Sequence, residues 1–76
     1  MGGKKTTIKN HIRRIRLART ELTQAGLAEA VGATRQTIIA IEAEKYAPSL
    51  ELAFRIATVL DEKVDELYDF DPKSWG

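Results

Sequence analysis

The sequence predicts an all-α domain built from five short helices. Three observations lead there. Apolar residues recur three and four positions apart through most of the 76 residues, which is helical spacing. No segment alternates apolar and polar residues over a useful length, so strand signals are absent. The two prolines, Pro48 and Pro72, interrupt no long apolar pattern.

The first helix is expected from about Lys9 to Arg19, with Thr7 or Asn10 as its N-cap. Ile8, Ile12 and Ile15 fall on one stripe, and Arg19 continues that line. Leu17 lies on the opposite side, as an isolated exposed residue or a partner contact. Thr23 caps a second helix, Gln24 to Val31, which turns Leu27, Ala28 and Val31 inward. Gly32 follows, where a residue able to take a left-handed conformation commonly ends a helix. Thr34 caps a third helix, from Arg35 to about Glu44, that buries Ile38 and Ile41. Pro48-Ser49 is a stop and restart, with Ser49 capping a fourth helix from Leu50 to Leu60. Its face of Leu52, Ala53, Ile56, Ala57 and Leu60 is the most apolar in the chain. A last short helix, about Val64 to Tyr68, adds Val64, Leu67 and Tyr68 to the core. The expected organisation is a basic arm over residues 1–8, a helical domain over 9–68 and a short acidic, aromatic tail over 69–76.

Composition narrows the classes of function. A chain of this length fits one domain and buries only about 60% of its unfolded surface on folding. Without cysteine there is neither a disulfide scaffold nor thiol chemistry, which suits a cytoplasmic setting. No apolar run approaches the ~18 residues of a membrane span, and no signal-peptide core follows the basic N-terminus. With a single histidine, a metal site would rest almost wholly on carboxylates, so neither metal nor other cofactor is expected. No nucleophile–base–orienter set and no glycine-rich phosphate loop is present, which argues against an enzyme.

The net charge of +1 conceals an asymmetry. Residues 1–24 carry seven positive charges (Lys4, Lys5, Lys9, Arg13, Arg14, Arg16 and Arg19) against Glu21 alone, a balance of +6. Residues 25–60 balance at −1, and residues 61–76, with Lys63 and Lys73 against six acids, at −4. One end suits a polyanion and the other points elsewhere, unless both are solvated tails. The run Lys4-Lys5-Lys9-Arg13-Arg14 is accordingly either a solvated arm and helix face or a set of phosphate contacts. His11, alone near a helix start, reads as an exposed residue.

The informative spacing runs from Thr23 to Glu42. A helix of about eight residues, the turn Gly32-Ala33-Thr34 and a second helix make a helix-turn-helix arrangement. At 100° per residue, Ile38, Ile41 and Glu42 cluster on one side of the third helix. Gln36, Ala40 and Ala43 cluster opposite, flanked by Arg35 and Ile39. That outer stripe has chemistry suited to base edges. Arginine pairs two-pronged with guanine and glutamine with adenine, and small apolar groups lie against thymine methyls.

The run Thr23-Gln24-Ala25-Gly26-Leu27-Ala28-Glu29-Ala30-Val31-Gly32-Ala33-Thr34-Arg35-Gln36-Thr37-Ile38 carries a resemblance. With Ile41-Glu42 and then Lys45-Tyr46-Ala47-Pro48-Ser49-Leu50 in register, it resembles the Xre/Cro, lambda-repressor-like helix-turn-helix family over about Asn10 to Tyr68. The resemblance is to short, single-domain members. It implies a five-helix DNA-binding domain that reads double-stranded DNA as a homodimer and regulates transcription, most often as a repressor. It implies base contacts from Arg35, Gln36 and Ala40, and backbone contacts from Gln24, Thr34, Thr37, Lys45 and Tyr46. It further implies a structural ion pair between Glu42 and Arg16. Gly26 inside the second helix, Ile39 and Ala40 where polar or basic groups are frequent, and Asp61 in place of a common glycine depart from the family pattern. An antitoxin, binding a toxin protein and its own promoter, is the alternative within the family. The eight-residue tail, with Phe70 and Trp75, is short for wrapping such a partner.

Overall fold

The computed structural model describes residues 8–75, without the side chains of Ser74 and Trp75. Most of the expected basic arm, including Lys4, Lys5 and the alternative cap Thr7, lies outside the described residues.

Five helices form the body: α1 (Ile12–Arg19), α2 (Gln24–Val31), α3 (Arg35–Glu42), α4 (Leu50–Val59) and α5 (Val64–Leu67). The local signals explain their starts. Thr23, Thr34 and Ser49 each sit in extended backbone, and their hydroxyls accept hydrogen bonds from the amides of Gly26, Thr37 and Leu52, three residues on. Each satisfies an amide that the helix cannot.

The helix ends are equally well defined. Gly32, at φ 76°, ends α2 in a Schellman turn, its amide bonding to Glu29 O and that of Ala33 to Ala28 O. The same double bond closes α3 around Glu44, at φ 61°, and α4 around Asp61, at φ 55°. The third helix therefore stops at Glu42, two residues short of the expectation, because Glu44 already lies in the left-handed region.

The chain begins differently from its sequence pattern. Lys9–Asn10 is a strand, β1, paired antiparallel with Tyr68–Asp69, β2. A helix starting at Lys9 and a chain free of strands are both overturned. The cause is Asn10, whose side chain and backbone amide are engaged by tertiary partners and a turn. Its side chain accepts from Ile12 N and donates to Ile41 O, and its backbone amide donates to the Glu44 carboxylate at 3.0 Å. Asn10 thus acts one residue ahead of the helix, and the cap position falls to His11, whose side chain makes no capping bond. His11 is half-buried, not exposed, with Nε2 2.8 Å from Asp69 Oδ2 beside the β1–β2 ladder. Ile8 consequently leaves the α1 stripe and lines a groove with Leu50 and Phe70. The 3-10 turn Pro72–Trp75 follows β2.

The core lies between the helices. Ile12, Leu27, Ile38, Ile41, Ile56, Leu60 and Leu67 are essentially inaccessible, and Ile15, Ala28, Val31 and Ala57 complete the cluster. Burying one such Leu or Ile side chain stabilises the fold by about 1.5–3 kcal/mol. Ala53, Ile56, Ala57 and Leu60 of the expected α4 face are buried, and Leu52 is half-buried against them. No helix among the described residues is long and apolar enough to cross a membrane, and no three His, Cys, Asp or Glu among them gather as metal ligands.

The left-handed Asp61 yields a test. Asp61→Gly should stabilise the domain by up to about 1 kcal/mol, a rise of several degrees in Tm, because glycine carries no Cβ penalty at positive φ. Asp61→Val should lower Tm, since a β-branched residue fits that region badly. Thermal unfolding followed by circular dichroism at 222 nm checks both.

Candidate nucleic-acid interface

Two helices and the turn between them set the geometry of the site. The α2 cap, the Gly32 turn and the Thr34 cap fix where α3 begins. Ile38 and Ile41 then root one side of α3 in the core, each 1% exposed. The opposite side is left to solvent. Arg35 and Gln36 are exposed in the first turn, Thr37, Ile39 and Ala40 are half-buried, and Ala43 is exposed. The Thr34 and Thr37 hydroxyl oxygens lie 2.9 Å apart and share one hydrogen bond, so both sit at the α3 N-terminus as a linked polar pair. Lys45 and Tyr46 are exposed just beyond the Schellman turn at the other end of the helix.

Behind this surface lies a buried ionic cluster. Glu42 Oε2 accepts from Arg16 Nε at 2.8 Å, and Oε1 accepts from Arg16 Nη2 at 3.1 Å. The two side chains are 7% and 3% exposed. Arg16 Nη1 also donates to Leu22 O in the loop before α2, at 3.1 Å. Gln24 Nε2 donates to Glu42 Oε1, again at 3.1 Å. One carboxylate therefore joins α1, α2 and α3. A two-pronged arginine–carboxylate contact is among the stronger hydrogen-bonded pairs, and here its members also satisfy a backbone carbonyl and an amide side chain. The Gln24 side chain makes no second hydrogen bond among the described residues, which leaves one of its N–H groups available.

Two supports of the helix-turn-helix are not marked by local sequence signals. Arg55 of α4 donates through Nη1 to Val31 O at 3.2 Å, closing the last turn of α2 beside Gly32. Its Nη2 is held at 2.7 Å by Glu51, and that four-residue spacing is visible in the sequence. Asn10 and Glu44, by contrast, bind β1 to the end of α3 from 34 residues apart, and no local signal marks them. Lys9 approaches Glu44 at 3.9 Å, while Arg13 and Arg14 lie exposed on α1.

A capped helix, a glycine turn and a second helix with one buried and one bare face define a helix-turn-helix protein. The whole-chain comparisons carry this further. The helix-turn-helix family model matches residues 12–67, and the chain belongs to that Xre/Cro-like family of DNA-binding regulators. It is 41% identical over 70 residues to an HTH-type transcriptional regulator of Archaeoglobus fulgidus, covering 91% of this chain and 99% of that one. It is 45% identical over 64 residues to another from Methanocaldococcus jannaschii, covering 84% and 96%. Among solved structures, the fold is similar to a crystal structure described as a DNA-binding protein from Bacteroides fragilis. There the TM-score is 0.73 at 25% identity, covering 83% of this chain and all of the other.

The ionic cluster predicts a particular mutational pattern. Arg16→Ala alone should cost about 3–5 kcal/mol, because it leaves the Glu42 carboxylate buried without its cation. Replacing both partners with apolar residues, Arg16→Met with Glu42→Leu, should recover most of that loss. Urea midpoints at constant m-value measure the difference.

Proposed function

We propose that the chain is a sequence-specific transcriptional repressor that inserts α3 into the major groove of a palindromic operator as a homodimer. One observation carries this reading. The Arg35–Gln36 turn stands exposed on a helix whose far side is rooted in the core and whose last residue is locked to α1. Rigid presentation of an arginine and a glutamine is what direct reading of base edges requires.

In this reading Arg35 contacts guanine, Gln36 adenine, and Ala40 a thymine methyl. Gln24, Thr34, Thr37, Lys45 and Tyr46 hold phosphates on either side of the groove. The α3 N-terminus adds its own attraction for phosphate at Thr34 and Thr37. Gln24 keeps one amide hydrogen on Glu42 and gives the other to DNA, so the cluster that orients α3 also sets the contact of α2. Two copies related by a two-fold axis reach half-sites about 34 Å apart, which a single domain cannot span. Occupying such a site blocks transcription by exclusion alone.

Selection of preferred sequences from a random DNA pool tests the proposal. A palindromic consensus, with affinity falling steeply as salt rises, is expected. An unenriched pool with weak binding would refute it. Arg35→Ala and Gln36→Ala should each cost about 1–3 kcal/mol at the selected site and relax preference at particular positions. Lys45→Ala should weaken all sequences alike and reduce the salt slope by about one per half-site.

A further inference from the structure

The regulator reading gives no role to the basic residues at the start of α1. Carboxylates hold Arg16, Arg19 and Arg55, through Glu42, Glu62 and Glu51. Arg13 and Arg14 are different. Both are exposed on α1, and neither guanidinium has a hydrogen-bond or ion-pair partner among the described residues. Although adjacent in sequence, they occupy different flanks of the helix. At about 100° per residue, Arg13 stands about 60° around α1 from Arg16, whereas Arg14 stands about 160° from both Arg16 and the buried Ile12. Arg13 therefore shares the flank of α1 that meets α3, and Arg14 lies on the side away from the core.

That flank runs between two anchor points, each beside a residue that the proposed reading sets against the DNA backbone. At one, Arg16 and Gln24 share the Glu42 carboxylate. At the other, Asn10 donates to Ile41 O and to Glu44, the residue directly before Lys45. Arg13 lies midway along the chain between Asn10 and Arg16. Beside Asn10, the Lys9 side chain is 75% exposed and only approaches Glu44, at 3.9 Å. So loose and open an ion pair holds little, and Glu44 retains the Asn10 amide at 3.0 Å when Lys9 turns away.

We propose that Arg13 and Lys9 form a further row of phosphate contacts, carried by α1 and β1 between those of Gln24 and Lys45, and that Arg14 takes no part; the proposal rests on the DNA-facing orientation of α3 given above. Phosphate is the fitting occupant. A guanidinium without an internal partner can grip it with two parallel bonds, and duplex DNA presents a negative charge about every 1.7 Å along its axis. Such contacts fix register and add affinity without reading bases. The structure thus divides a basic run that looks uniform in the sequence.

The test compares neighbouring residues in the full chain. Arg13→Gln and Arg14→Gln each remove one exposed charge and keep a good helix former, so similar Tm values are expected. Binding is measured across a range of salt on a random-sequence duplex and on any sequence selected from the pool. Arg13→Gln and Lys9→Gln should each weaken both duplexes about 3- to 10-fold at about 0.1 M salt, and lower the slope of log K against log salt by about one per bound copy. Arg14→Gln should cost less than about 2-fold and keep the slope, because a charge on the far flank is screened. Ethylation of one phosphate that blocks the unaltered chain should cease to matter in Arg13→Gln. An unchanged slope in Arg13→Gln or Lys9→Gln would overturn the proposal. So would equal losses from Arg13→Gln and Arg14→Gln, which mark a general charge effect. The random duplex separates this proposal from the regulator reading. A contrast between Arg13→Gln and Arg14→Gln without any consensus keeps the phosphate row and refutes sequence-specific repression, whereas a consensus without the contrast does the reverse. Absence of binding to any duplex overturns both.

Discussion

The carboxylate of Glu42 is the point through which the helix-turn-helix is held. It receives two bonds from Arg16 and one from Gln24, and so joins α1, α2 and α3 at a place shielded from water. Charge buried in this way is costly unless every group is satisfied. Here the arginine spends its remaining capacity on Leu22 O, so the loop entering α2 is fixed by the same network. Hydrophobic packing at Ile38 and Ile41 sets the depth of α3, but apolar contacts alone allow small rotations about the helix axis. The directional bonds at Glu42 oppose such rotation, and rotation is what would misdirect Arg35 and Gln36.

The ends of the helices show a second constraint. Three reversals of direction, after α2, α3 and α4, each need a left-handed residue, yet only the first is glycine. At Glu44 the side chain offsets the cost, since its carboxylate receives the Asn10 amide and lies near Lys9. At Asp61 the backbone carbonyl accepts from Arg19, whose guanidinium also pairs with Glu62 at 3.2 Å. Both strained turns are therefore pinned to the N-terminal segment. Of the two, only the Glu44 turn is held by β1, through Asn10, while β1 also pairs with β2 beyond α5.

What was legible in the sequence follows from how local each signal is. Thr23, Gly32, Thr34 and Ser49 act on amides or carbonyls within a few residues, and each marks its helix boundary without reference to the rest of the fold. The buried faces of α2 and α4 are equally plain, because they depend only on periodicity. Asn10 also looked like a cap and does bond to Ile12 N, but its other partners lie 31 and 34 residues away. Nothing near it announces a strand two residues long, whose stability comes from those distant bonds. The site divides the same way. The outward stripe of α3 can be computed from angles, whereas Arg55 supports α2 through a carbonyl 24 residues distant.

In the proposed reading, holding and base contact fall to different atoms of one helix. Thr34 fixes the α3 N-terminus, Ile38 and Ile41 its inner side, and Glu42 its last turn, and none of these depends on the identity of Arg35, Gln36 or Ala40. The exposed residues can change without loss of the fold, which is the physical reason that fold and family are plain in the sequence while base preference is not. Ile39 and Ala40 sharpen the point. Both are half-buried and carry no hydrogen-bonding side chain, so in the proposed reading they contribute shape. Shape discriminates through fit to a methyl group or a groove width and not through a donor–acceptor code. In the proposed reading, the preference of this helix is a joint property of its side chains and the angle at which the Glu42 cluster presents them.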